Sequence, residues 1–259
     1  MRPIIAILRK ELRVYFTTPV AYAAFTVFSI VTSFLFLRNL VGFQRQIDIN
    51  TQLRPHLLQF MNFTDQVLSQ LTFQAAVVLV FVVPFVTMRL VAEERRARTF
   101  ELLMTNPVSP WHIAWGKYLA TLVVLAVMLS LTLLYPLLVG LVAQVGGVAW
   151  ETVGTGLLGL FLLGAAFTAL GLFVSALTAS PVVAAIITWC VLFLLWVVGW
   201  AATENPGATG DVLRALSAIE HIRSFASGAL DSRDLVYYLS LCAFGLFMTQ
   251  RALEAQRWR

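Results

Sequence analysis

Six long apolar stretches govern what this chain can fold into, at approximately residues 20–41, 72–91, 118–145, 153–177, 181–202 and 235–250. A hydrocarbon core of about 30 Å takes roughly 20 helical residues at about 1.5 Å each, and these stretches meet or approach that length. The last is the shortest. Inside a bilayer the backbone must satisfy its own hydrogen bonds, and the stretches lack the strict alternation of barrel strands, so each is expected to be a helix. The rest of the composition agrees: 59% of the 259 residues are hydrophobic and 12% are charged, against roughly 25% charge in soluble domains. No polar stretch is long enough for a separate soluble domain. Residues 1–259 are therefore expected to form a single all-α integral membrane domain of six transmembrane helices. The N-terminal "MRPIIAILRKELRVYF" is interrupted by charge at Arg9, Lys10, Glu11 and Arg13, unlike a signal peptide, and is expected to remain on the mature chain.

The basic residues orient the spans. With the N-terminus in the cytoplasm, that side carries the Lys and Arg of residues 2–13, 89–117 and 251–259, twelve of the 18 in the chain. The opposite side receives Arg38, Arg45, Arg54, Arg214, Arg223 and Arg233, spread over two longer loops that also contain acids. The positive-inside rule then places both termini in the cytoplasm, and a bacterial inner membrane is the expected location.

The segments around the spans add detail. Ile4, Leu8, Leu12 and Tyr15 share one helical face and Arg9, Lys10 and Arg13 another, so residues 1–18 are expected to form an amphipathic helix lying in the interface. Pro84 and Pro136 fall inside the second and third spans, as kinks or as moving parts. In the fourth span Gly164, Thr168, Gly171 and Ser175 make one stripe of small residues that permits close helix approach, within the subunit or across a dimer seam. The sequence "TASPVV" offers Ser180 as an N-cap with Pro181 at the first helical position, giving a tight hairpin between the fourth and fifth spans. Cys190 and Cys242 lie in apolar spans with no disulfide or metal-ligand pattern.

Several chemistries are missing. There is no "GxxxxGK[ST]" phosphate loop, so no ATP site of that kind is expected in this chain. None of the six apolar cores contains Asp, Glu, Lys, Arg or His, the nearest, Arg38 and Arg89, sitting near span ends where long side chains reach the interface, which disfavours an ion-driven carrier. His56, His112 and His221 fall in three different loops without an "HExxH" pairing, so no metal site is expected, and no nucleic-acid partner is implied.

The stretch "MRLVAEERRARTFELLMTNPVSPWHIAWGKYLA", following a proline-containing second span, resembles the permease subunits of ABC-2 type transporters. There a span ends, a short cytoplasmic helix docks on the ATPase, and a "GK" opens the next span. More narrowly the chain resembles the gliding-motility-associated branch, in which this stretch usually reads "EE" followed by "GT.ELL...P". The second signature of that branch is seen here as "IEHIRSFASGALDSRDLVYYLS". The resemblance implies a coupling role for Glu93, Glu94, Arg95, Arg98, Thr99, Glu101, Leu102 and Leu103. It also implies a separate cytosolic ATPase that binds ATP and Mg, with no cofactor in this chain. Arg98 departs from the family pattern, where glycine often precedes the threonine.

The residues themselves fit a coupling helix within 92–117. From Glu93 to Met104 a helix would carry Phe100, Leu103 and Met104 on an apolar side and offer Glu94, Arg95, Arg98 and Glu101 to a partner, ending at Asn106 and Pro107. A plain connector obeying topology would need only Lys and Arg, whereas here Glu93, Glu94 and Glu101 are interleaved with arginines. On the outer side, residues 203–234 are expected to be a periplasmic segment carrying a helix with Leu213, Leu216, Ile219 and Phe225 on its apolar face, ended by Gly228. Asp231 and Asp234 fit N-capping of the last span, while His221, Phe225 and Gly228 complete a segment that either packs and caps or closes an outer gate against a periplasmic partner.

The expected protein is thus an ATPase-driven permease subunit, not itself an enzyme, pairing with a second copy or a related permease amid membrane lipids. Export is expected over import, with force or signal transmission to a periplasmic partner kept open. The alternative from another class is a membrane-embedded enzyme or scaffold without an ATPase.

Overall fold

The computed structural model describes residues 2–99, 109–142, 148–204 and 207–257, and no strand occurs among them. The helices in chain order are α1 (Arg2–Thr17), α2 (Pro19–Leu53), α3 (Gln70–Thr87), α4 (Ala92–Arg96), α5 (Pro110–Ser130), α6 (Leu134–Val142), α7 (Trp150–Leu177), α8 (Pro181–Glu204), α9 (Ala208–Leu216), α10 (Glu220–Ala226) and α11 (Ser232–Arg257). A 3-10 turn, Pro55–Phe60, and a π-helical turn, Thr64–Ser69, join α2 to α3.

Among the described residues five helical runs are long and apolar enough to cross a membrane: Pro19–Leu53, Thr64–Arg96, Pro110–Leu141, Trp150–Leu177 and Pro181–Ala201. The chain is a multi-pass membrane protein on that ground. The sixth stretch lies in α11, whose 26 residues include polar ends. α11 lies against α7 with the same direction: a Cβ on Gly245 would stand 2.7 Å from the Ala169 carbonyl carbon, and Gln256 Nε2 donates to Ala176 O at 2.8 Å.

α7 is the central helix, and its small residues explain why. A Cβ at Gly164 would meet Leu125 Cδ2 at 2.7 Å, and one at Gly171 would meet Thr87 Oγ1 at 2.3 Å, so glycine lets α5 and α3 approach its backbone directly. Thr168 is buried, its hydroxyl donating to Ala165 O at 2.9 Å. The stripe 164–168–171–175 therefore packs against helices of the same chain. The periphery differs: α2 and α8 bury 28% of their most apolar windows, against 72% for α7.

Three elements differ from the sequence expectation. α2 runs 35 residues, about 52 Å, and so overruns the expected span 20–41 until Arg54, whose helical conformation is disfavoured by Pro55 after it. The third span is not one α-helix, because Pro136 cannot donate to the carbonyl of Thr132 and the chain tightens into a 3-10 turn at Leu131–Leu133. The outer segment is two helices rather than one. α9 and α10 are separated at Ser217, Ala218 and Ile219, which turn inward and are buried, and Leu216 is left 52% exposed instead of joining an apolar face.

Candidate coupling site at the charged end of the bundle

One end of the bundle gathers α1, α4, the start of α5, the end of α7 and the end of α11. Position 116 shows how it is closed. A Cβ there would meet Ile7 Cγ2 at 2.7 Å, so glycine allows α1 to lie directly on α5. The next residue, Lys117, turns its side chain into the contact and is only 1% exposed. The amphipathic face of α1 receives it with Glu11, buried among the apolar residues of that face, and Tyr15 below donates its hydroxyl to Val86 O at 2.8 Å.

A buried ammonium needs paired charge, because desolvation alone costs several kcal/mol. Lys117 Nζ lies 2.8 Å from Glu11 Oε1 and 3.0 Å from Glu94 Oε2. The first contact is a hydrogen bond; the second is an ion pair off the line of one, since Glu94 Oε2 has no hydrogen-bond donor among the described residues. Lys10 donates to Glu94 Oε1 from the exposed side and lies 3.5 Å from Glu11 Oε1. Two cations and two carboxylates thus alternate across α1, α4 and α5. Burial works against the Lys10 ammonium, but its hydrogen bond to Glu94 and the field of that carboxylate outweigh it and raise its pKa above the ordinary lysine value.

α4 is held from its other side by α7. Val91, its N-cap, has no side-chain oxygen to satisfy the first N–H groups. Ser175 supplies one: its Oγ accepts from Val91 N and Ala92 N, both at 3.1 Å, and donates to Met88 O at 3.1 Å. Arg95 Nη1 donates to Ala176 O at 2.9 Å, so the last turn of α4 is tied to the last turn of α7.

The helix then stops at Arg96. Thr99 N donates to Glu94 O at 3.0 Å and Arg98 N to Arg95 O at 3.2 Å, the paired bonds of a Schellman cap, with Arg98 left-handed at φ 56°. The same cap ends α10, where Ala229 N donates to Ser224 O at 2.9 Å and the left-handed residue is Gly228 at φ 87°. Arg98 therefore occupies a glycine position without glycine's freedom. This corrects the expected helix from Glu93 to Met104: it ends at Arg96, and Glu101, Leu102 and Leu103 lie outside the described residues.

Glu94 requires a second correction. It is not offered to a partner; its side chain is 14% exposed and committed to Lys10 and Lys117. Glu93, Arg96, Ala97, Arg98 and Thr99 form the exposed side, with Glu93 3.7 Å from Arg89 and Thr99 Oγ1 turned back to Glu94 O. Sequence reasoning passed over Glu11 and Lys117. The signal was present in an acid on the apolar face of α1 and in the "GK" that opens the next span.

At the opposite end of the bundle, Asp231 Oδ1 accepts from Arg233 N at 2.9 Å, an N-cap contact at the start of α11. Asp234 does something different from the expected capping. It is buried, pairs with His221 Nδ1 at 2.6 Å and accepts from Ser224 Oγ, tying α10 to α11. His221 stacks on Tyr237 with ring centroids 4.1 Å apart, and Tyr238 donates to Ala218 O at 2.7 Å. Phe225 fills the space that Gly159 leaves open, and Gly228 lies beside Thr152. Among the described residues no group of three or more His, Cys, Asp or Glu is placed to hold a metal ion.

Long apolar helices around a small-residue central helix, with a charge-locked helix closing the second run, define a multi-pass membrane protein. Family comparison makes this specific: residues 5–220 match the family described as ABC-2 family transporter protein, and the chain belongs to that family. Its members are membrane subunits without a nucleotide-binding domain of their own, and the family implies an ATPase partner. Comparison with curated proteins gave no match.

Proposed function

We propose that the chain is the permease subunit of an ATP-driven exporter, in which a separate cytosolic ATPase docks on the exposed side of α4 and the residues that follow it. The observation that carries this reading is the burial of Lys117 between Glu11 and Glu94. Through it the short charged helix that closes the second run is tied to α1 and α5, and through Ser175 and Arg95 to α7. A load applied at α4 is passed to those helix ends rather than absorbed in a loop. Closure of ATP-bound ATPases would move α4 and bias the bundle between two states.

In this reading α11 is the sixth span, because it follows α7 side by side to Ala176, and the excess of basic residues places both termini with α4 in the cytoplasm. ATP and Mg are bound by the ATPase. A second permease copy covers the face built by α2 and α8, where Ile30, Ile186 and Leu194 are each more than half exposed, and lipid covers the rest. The α9–α10 pair, held to α11 by Asp234, closes the outer end. The gliding-motility-associated branch fits the signature around His221 and Asp234, and with it force transmission to a periplasmic partner.

The test is co-purification of an ATPase whose hydrolysis rate rises on reconstitution with this chain, together with reporters fused after residue 110, after residue 210 and at residue 259. A stimulated ATPase and an outside signal at 210 alone are expected. An outside signal after 110 or at the C-terminus, or an ATPase indifferent to the chain, would overturn the reading.

A further inference from the structure

At the end of the bundle away from α4, a groove of about 990 Å³ opens between α2 and the π-helical turn that precedes α3. Arg38 and Arg45 project into it from α2, Gln66 and Gln70 form the facing wall, and Phe34 and Leu37 lie at its lower end. The two arginines are seven residues apart, nearly two helical turns, so they share a face about 10 Å apart along the axis. Gly42 lies between them, with nothing within 4 Å of where its Cβ would be. The base of the groove is fixed by a reciprocal amide pair, Asn39 Nδ2 donating to Gln74 Oε1 at 3.0 Å and Gln74 Nε2 to Asn39 Oδ1 at 3.3 Å.

Charge and depth define what fits. Arg214 and Arg223, at the same end, are matched by Asp211 at 3.8 Å and Glu220 at 3.3 Å. Arg38 and Arg45 form no ion pair among the described residues, and the acid that lines the groove, Asp65, already accepts from Asn62 Nδ2 at 3.3 Å. Helix α2 begins at Pro19, so Arg38 stands about 29 Å along it, at the far edge of a hydrocarbon core of about 30 Å. Arg45 stands where lipid phosphates lie. Below them Phe34 and Leu37, 64% and 57% exposed, continue the groove into the apolar layer.

We propose that this groove binds an anionic phospholipid of the outer leaflet, its phosphate held between Arg38 and Arg45 and one acyl chain laid along Phe34 and Leu37. Guanidinium groups match phosphate oxygens in two-pronged hydrogen bonds, and the glutamine wall offers partners to headgroup hydroxyls. Free phosphate would leave the apolar floor unused. The proposal rests on α2 spanning the membrane from the cytoplasmic side, and it is independent of any ATPase.

The test uses the full chain in nanodiscs of phosphatidylcholine with and without phosphatidylglycerol, with retained lipid measured by native mass spectrometry. The double variant R38Q/R45Q should bind phosphatidylglycerol about tenfold more weakly. R54Q, which alters an arginine outside the groove, should not, and inorganic phosphate alone should not displace the lipid. All three groups are exposed, so melting in pure phosphatidylcholine should be unchanged in both variants. Wild-type retention by R38Q/R45Q, an equal loss in R54Q, or displacement by inorganic phosphate would each overturn the proposal, while leaving ATPase coupling untouched.

Discussion

The Lys117 ammonium lies 3.0 Å from Glu94 Oε2, bridging α5 and α4 at a point where the lysine is only 1% exposed. The contact makes the charged segment at the end of the second run part of the bundle. A loop bearing the same charges would be solvated and free to move.

Removing Lys117 should therefore unfold more than a local contact. K117M strands Glu11 and Glu94 with Lys10 as their remaining cation, and loss of one partner of a buried pair costs about 3–5 kcal/mol. Adding E11Q removes one of the stranded carboxylates, and the pair should show a coupling energy of about 0.5–3 kcal/mol in a double-mutant cycle. The thermal midpoint of the detergent-purified protein is the readout. Strict additivity, or a K117M melt equal to wild type, would mean the pair is not formed.

Two glycines of α7 should respond oppositely to alanine. At Gly171 the new Cβ meets Thr87 Oγ1 at 2.3 Å, and overpacking of that kind costs about 1–3 kcal/mol. At Gly154 nothing lies within 4 Å, so G154A should stabilise the helix by about 0.5–1 kcal/mol. The same melting assay distinguishes them, and similar shifts in both would contradict the central packing of α7.

Arg98 carries a backbone conformation that costs a side-chain-bearing residue about 1–2 kcal/mol. R98G should relieve it, slowing amide hydrogen exchange at Arg98 and Thr99 positions by roughly 5–30-fold, because their N–H groups make the capping bonds. Faster exchange in R98G would show that the cap is not formed in solution.

The fold was largely legible because a bilayer leaves a chain few options: apolar length alone announced the helices. The interruptions had local causes that the sequence also carried. Pro55 marks where α2 stops and Pro136 where the third run tightens; the second was legible as a kink, while the first was passed over because the expected span ended at residue 41. Arg98 was read as glycine's freedom lost, while the structure keeps glycine's conformation with arginine in it. Glu94 was unreadable for a different reason. Its partners come from α1 and α5, so its burial depends on how three helices meet, and helical periodicity within 93–104 assigned it to the exposed side. The pairing of His221 with Asp234 was hidden for the same reason, because it joins α10 to α11 and exists only where those two helices meet.

The two aspartates at the opposite end separate by role. D231A removes an N-cap and should cost about 0.5–2 kcal/mol. D234A breaks charge-assisted bonds to His221 and Ser224, each worth about 1.5–3 kcal/mol, and should release α10 as well. Exchange of the Ile222 and Phe225 amides checks this: it should accelerate strongly in D234A and little in D231A. Equal acceleration would contradict the tie between α10 and α11.

The central claim is that α4 has an inward side that anchors it and an outward side that meets the ATPase. The direct measurement is ATPase co-purification and transporter-stimulated hydrolysis in R96E/R98E, compared with E94K, each alongside the melt of the permease alone. Arg96 and Arg98 are exposed, so their reversal should leave the melt intact and lose both binding and stimulation. E94K places a third cation beside Lys10 and Lys117 and should lower the melt itself. Wild-type binding and stimulation in R96E/R98E, with a normal melt in E94K, would contradict the account.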